Sequence, residues 1–171
     1  MVDSKTRKTG VEPQIVDYVL AAGAVAMLAG MLTAIARGYP EWGLLHWPIW
    51  AHLATLAIAL SLTPIMLVRQ RGDLWHRRMG YVWLACMVVT SLVSFLVPPP
   101  GTLSPIFILS ILTLAISFRV WQTARAHQWK QHRTNVRGIV IGGLLLAGFM
   151  TFQFGRLFDR WIHGLAGTTI G

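Results

Sequence analysis

The chain has 171 residues, of which 54% are hydrophobic and only 12% charged, and its formal net charge is +9. Soluble domains carry about 25% charged residues, so a soluble globular fold is excluded and one integral membrane domain is expected. The excess of Lys and Arg forms no continuous basic face, because apolar stretches interrupt it, and a nucleic-acid partner is excluded on that ground.

In chain order, a basic cytoplasmic tail over residues 1–15 (Lys5, Arg7, Lys8) leads into a first span at Val16–Ala36. Ala34-Ile35-Ala36 has the form of a signal-cleavage site, but the apolar run before it exceeds the roughly 7–15 residues of a signal core. It is therefore read as an uncleaved helix. The second span is Pro48–Val68, where Pro64 is expected to kink the helix while Ser61 or Thr63 satisfies the freed carbonyl. Asp73 is a good N-cap and would place His76 in the first turn of the next helix. The third span is Met79–Val97, followed by a breaker, Pro98-Pro99-Pro100-Gly101. Pro105–Ala124 is the fourth span and Gly138–Arg156 the fifth. Each is close to the ~20 residues that cross a ~30 Å hydrocarbon layer. The expected fold is all-α: a five-helix transmembrane bundle over residues 16–158, with core hairpins at 48–97 and 105–156 and an external tail at 159–171.

Orientation follows from the flanking charges. Twelve Lys and Arg residues fall on the side of the N-terminal tail and of the 2–3 and 4–5 connections; Arg37, Arg156 and Arg160 are the three on the other. The basic side is cytoplasmic, so the N-terminus lies inside and the C-terminus outside. Trp42, Trp47, Trp50 and Trp161 then fall at the outer interface, and Trp75, Trp121 and Trp129 at the inner one. Small residues recur every fourth position at Ala22, Ala26, Gly30 and Ala34, and pair at Gly138/Gly142 and Gly143/Ala147. Close helix contacts would explain them; so would the general abundance of small residues in spans.

No HExxH, Walker loop, GxGxxG or CxxC is present, and the single Cys86 rules out an intrachain disulfide. No Asp or Glu lies within spans 2 to 5, and Asp17 sits at the entrance of span 1. A carboxylate-driven transporter and paired-acid catalysis are both disfavoured by that, and no catalytic residue is assigned.

Histidine remains. His76-Arg77 and His132-Arg133 are 56 residues apart, at equivalent cytoplasmic entrances of two approximately repeated hairpins. Neutral imidazole is a normal axial ligand of haem iron, and Arg77, Arg133 and Arg119 can pair with propionates. Headgroup contact or helix capping is the competing account of the same residues. His52, one turn inside the outer face, is either a further ligand or a hydrogen-bonded core residue. Arg156 is a candidate contact for a lipid phosphate or a propionate. His46, His127 and His163 fall in connections or the tail.

From about His52 to Arg156 the chain resembles the bacterial membrane proteins grouped as domain of unknown function 2306. The resemblance rests on His52, on His76-Arg77-Arg78-Met79-Gly80-Tyr81, on Ser104-Pro105-Ile106-Phe107-Ile108-Leu109-Ser110, on His132-Arg133, and on Gly155-Arg156 after Phe149-Met150-Thr151-Phe152. It implies a bundle similar to the two-haem cytochrome b561 type, with histidines at the outer ends of helices 2 and 4 and the inner ends of helices 3 and 5. This chain carries Phe107 where that pattern has the outer histidine of helix 4, so it keeps the inner pair and lacks one outer partner. Two functions follow as expectations. One is a b-type haem protein that passes electrons, to or from quinone, through a single site at His76 and His132. The other is a non-catalytic subunit or assembly factor of a larger membrane complex.

Overall fold

In the computed structural model, which describes residues 12–69, 72–97, 105–152 and 157–162, the apolar runs become helices with identifiable ends. α1 is Ile15–Arg37, α2 Trp47–Val68, α3 Leu74–Val93, α4 Pro105–Arg125 and α5 Trp129–Ile139. α5 runs directly into a π-helical segment, Val140–Leu146, and then into α6, Ala147–Thr151. A 3-10 helix, Tyr39–Leu44, joins α1 to α2, and a short α7 covers Leu157–Ile162.

Asp73 caps α3 as its position in the sequence predicts. Its Oδ1 accepts the His76 amide at 2.7 Å, and Arg69 reaches its Oδ2 at 3.0 Å. That fixes His76 in the first turn of α3. α2 continues through Pro64 as one helix. Proline at 64 frees the carbonyl of Leu60, yet the neighbouring hydroxyls go elsewhere: Ser61 donates to Ala57 at 2.8 Å and Thr63 to Ala59 at 2.7 Å. The expected rescue of the freed carbonyl by either hydroxyl is thus corrected.

The helices close into a ring. α1 packs on α2, α2 on α3, α3 on α4 and α4 on α5, while the π-helical segment returns against α1 and α2. Leu20, Ala24, Met31, Leu60, Met87 and Leu144 fill the centre. The outward faces are just as apolar, with Val19, Leu32, Ile58, Ile108 and Ile111 exposed. Helices hydrophobic all round need a hydrocarbon surrounding. Ile15–Arg37, Trp47–Val68, Phe107–Arg125 and Trp129–Thr151 are long and apolar enough to cross a membrane. This is the architecture of a multi-pass integral membrane protein. α3 is not a fifth equal of these helices. Its first turn carries His76, Arg77 and Arg78, so its purely apolar part is short, and the helix ends at Val93 rather than Val97.

Polar side chains stitch α2 to α3 through the bundle interior. Thr55 and Thr90 share a 2.6 Å hydrogen bond, and the Trp83 indole donates to Thr63 at 2.9 Å. α5 begins nine residues before the expected start of the fifth span at Gly138, because Gln128–Arg137 is too polar to read as span yet continues the helix beyond the apolar layer.

Close packing uses only part of the small residues that the spacing suggests: Ala34 is buried and Gly30 faces Phe152. Ala22 and Ala26 are exposed, and nothing lies near a Cβ placed at Gly138 or Gly142. Gly143 faces Thr113 and Met87, and Gly148 faces Met27. Trp161, expected at the outer interface, is instead 1% exposed, seated on Gly38, and bonded through its indole N–H to Glu41 at 2.8 Å. Arg37 donates to the Ile162 carbonyl at 2.6 Å, which latches α7 to the end of α1.

A Cβ at Gly38 would lie 2.2 Å from the Trp161 indole, with no flexible chain end to yield. Gly38→Ala is expected to lower stability by roughly 1–3 kcal/mol, read as a fall in the thermal midpoint of the detergent-solubilised protein. An unchanged midpoint would mean that α7 does not dock there.

Candidate functional site

Two cavities lie at opposite ends of the bundle. The inner one, about 400 Å³, is lined by both His76 and His132. Its walls also include Met66, Leu67, Trp83, Leu84, Val120 and Val136. Four arginines (Arg77, Arg125, Arg133 and Arg137) line it against one carboxylate, Asp17. The first turns of α3 and α5 therefore bring together the two histidines that the hairpin pattern singles out.

The His132 ring is oriented by the backbone. Its Nδ1 lies 3.2 Å from the Val120 carbonyl, which can only accept, so Nδ1 is the donor. In the neutral imidazole that leaves the lone pair on Nε2, the arrangement of a metal-ligating histidine whose second nitrogen is held by a carbonyl. His127, at the α4–α5 turn, also lines the cavity, at a positive φ of 56° and edge-on to Trp129. The Arg125 guanidinium sits over the Trp121 ring at 4.9 Å.

Asp17 carries a role that its position at a span entrance did not disclose. It is fully buried, at 0% exposure. Arg133 donates to its Oδ2, Arg137 Nε donates to its Oδ1 at 2.8 Å, and the Gln14 amide adds a third bond at 2.9 Å. Arg137 also reaches the Gln14 side chain at 2.8 Å. Arg133, expected at a propionate, thus holds Asp17 from a position that also lines the cavity. No local signal announces this, since the partners are 116 and 120 residues apart. Arg119, the third expected propionate partner, is exposed and lies outside the lining. Arg125 and Arg137 line the cavity and were not singled out by the sequence. Arg156 and His163 lie outside the described residues.

The outer cavity, about 240 Å³, holds His52 with Thr90, Ser91, Ser94, Ser110 and Thr113. His52 Nδ1 lies 3.3 Å from the Thr90 carbonyl and 3.1 Å from Ser94 Oγ. Phe107 is not part of this wall. It stacks on Phe95 at 5.6 Å, so the position that would carry a second outer histidine in the resembled family is an aromatic contact.

Among the described residues no three His, Cys, Asp or Glu side chains cluster as for a free metal ion. Axial ligation of a porphyrin iron needs no such cluster, because the macrocycle supplies the other ligands. The chain matches no protein-family model, curated protein or solved structure.

Removing the Asp17 charge while Arg133 and Arg137 stay in place leaves cations facing a buried neutral amide. Asp17→Asn is expected to cost ~3–5 kcal/mol, measured as a lowered unfolding midpoint in detergent; equal stability of Asp17→Asn and wild type would refute the clamp. A milder, pH-dependent effect belongs to Asp73. The His76 amide, first, and Arg69 hold its carboxyl below the ordinary carboxylate range. A depressed pKa contributes stability that is present above the unfolded value and disappears as pH falls through the folded one. Acidification below the carboxylate range should therefore loosen the start of α3. Amide exchange at residues 74–77 would report it, and Asp73→Ala should remove the pH dependence.

Proposed function

We propose that this protein is a b-type haem electron carrier of the bacterial inner membrane, with one haem held between His76 and His132 in the inner cavity. The observation that carries the reading is that two imidazoles, 56 residues apart, line one cavity from the first turns of α3 and α5. In this reading α3 is the fifth crossing, its charged first turn at the cytoplasmic interface beside the basic tail.

The residues present fit the group. The His132 ring is oriented by the Val120 carbonyl through Nδ1, so Nε2 is the nitrogen that would ligate an iron. Trp83, Leu84, Val120 and Val136 supply an apolar slot, while Gly80 and Ala124 in the same wall leave room for a flat macrocycle. Arg77 and Arg125 stand at its polar end for two carboxylates. Haem bound there supplies a one-electron couple. The protein's part is to hold the imidazoles, exclude water from the slot, and surround the site with positive charge, which favours the reduced state. The electron partner is a membrane quinone or a redox complex.

The test is a reduced-minus-oxidised visible spectrum of the protein purified from haem-replete cells. A Soret band and split α/β bands are expected, and His76→Ala or His132→Ala should abolish the low-spin spectrum. A colourless protein that co-purifies with a larger complex would instead favour the non-catalytic subunit. Colour retained in both variants would refute the ligand assignment.

A further inference from the structure

We propose that the outer cavity binds the ring of a lipid-soluble quinone or hydroquinone, hydrogen-bonded between His52 on α2 and Ser110 and Thr113 on α4. This deepens the electron-transfer reading by locating the membrane-soluble partner, and it rests on that reading only for its purpose.

The first observation is a set of polar atoms with nothing to bond to. Ser110 and Thr113 are each 5% exposed. Their hydroxyls line the cavity, make no hydrogen bond to a described residue, and yet are not sealed from it. His52 is similar at one end of its ring. Nδ1 is engaged by Thr90 and Ser94, whereas Nε2 has no described partner and keeps accessible surface. The other hydroxyls of the wall are spent internally: Ser91 on Met87, Ser94 on Thr90, Thr151 on Ala147. Buried polar groups without partners are costly and uncommon. Here three polar groups without a described partner, each keeping some accessible surface, line one space.

The second observation is how the space is kept open. A Cβ at Gly143 would stand 3.1 Å from Thr113 Oγ1 and 3.2 Å from Met87. The missing side chain uncovers the Thr113 hydroxyl. Gly143 lies within the π-helical segment, a form that recurs at functional sites. α4 packs on α5 and on that segment and then parts from α6. Met150 lines the cavity and is also exposed, and its neighbour Phe149 is exposed as well. The cavity thus opens sideways, toward hydrocarbon.

The chemistry of the lining selects the occupant. Among the described residues it contains no Asp, Glu, Lys or Arg, so these offer nothing to an ionic headgroup. It does offer a lone pair at His52 Nε2 and donors at Ser110 and Thr113, on helices flanking α3 from either side. A flat neutral ring with an oxygen at each end answers to that set: the phenolic O–H of a hydroquinone donates to His52, and a carbonyl of the quinone accepts from the hydroxyls. Thr90, Thr55 and Ser94 extend the hydrogen-bonded chain behind His52.

The experiment is calorimetric titration of decylubiquinone into the full-length protein in nanodiscs. Saturable one-site binding is expected. His52→Phe should weaken it about tenfold or more, the loss of a buried hydrogen bond plus a poorer fit, and His52→Gln should restore most of it. Met150→Trp acts at the exposed mouth and leaves the core untouched; it should weaken binding comparably and decides the matter if His52→Phe does not fold. Binding needs no occupant in the inner cavity, so a positive titration on colourless protein would overturn the haem assignment and leave this one standing. Absence of saturable binding, or binding that both His52→Phe and Met150→Trp leave unchanged, would overturn the quinone site and mark the cavity as a pocket for water or lipid.

Discussion

A single buried carboxylate decides how this bundle closes. Asp17 sits in an apolar surrounding where an unpaired charge would cost several kcal/mol, and the two guanidiniums that neutralise it come from the far end of the chain. The first long helix and the last are held together by that requirement. The clamp has a positional effect as well. Arg133 follows His132, and Arg137 lies one turn further along α5, so fixing their heads fixes the face of α5 that carries the imidazole. Until the last apolar helix is in place, α1 carries a charge with no local answer, and assembly is drawn toward the closed ring.

The two cavities then differ in the charge they present. Among the described residues, the inner one gathers arginines from α3, α4 and α5 around one acid, and the outer one gathers hydroxyls and a single imidazole with no ionic group. On α3 the lining passes from Leu84 to Met87 in three residues, a rise of ~4.5 Å. An anionic, planar, tightly held group suits the inner environment and a neutral, exchangeable one the outer. On the proposed reading, their arrangement would set a one-electron carrier beside a membrane-soluble partner.

Much of this was legible in the sequence because it rests on local or strongly periodic signals. Asp73 before an apolar run marks a helix start, and basic connections between apolar runs put His76 and His132 at one end. What escaped was long-range or spatially graded. The Asp17 clamp joins residues more than a hundred positions apart and has no motif. Hydropathy hid the true start of α5, since Trp129–Arg137 is helical yet largely polar, and it overstated α3, whose first turn is charged. Periodicity alone could not tell Gly138 and Gly142, which face nothing, from Gly143 and Gly148, which face neighbouring helices. Trp161 looked like an interface residue because tryptophan so often is one; Gly38, 123 positions earlier, makes the slot that buries it.

The π-helical segment has a bearing on how this helix tolerates change in length. A π turn holds more residues than an α turn, so Val140–Leu146 contains about one residue more than an α-helix needs to join the same two ends in the same phase. That spare residue sets the rotation between the face bearing His132 and the face bearing Gly143. Losing one residue elsewhere in the rod would swing everything beyond it by about 100°, carrying one cavity wall out toward lipid. Losing one here would relax the coil to ordinary α-geometry with both walls still facing inward, at the cost of the local widening beside Thr113. The segment is the one place in the rod where length and register are uncoupled.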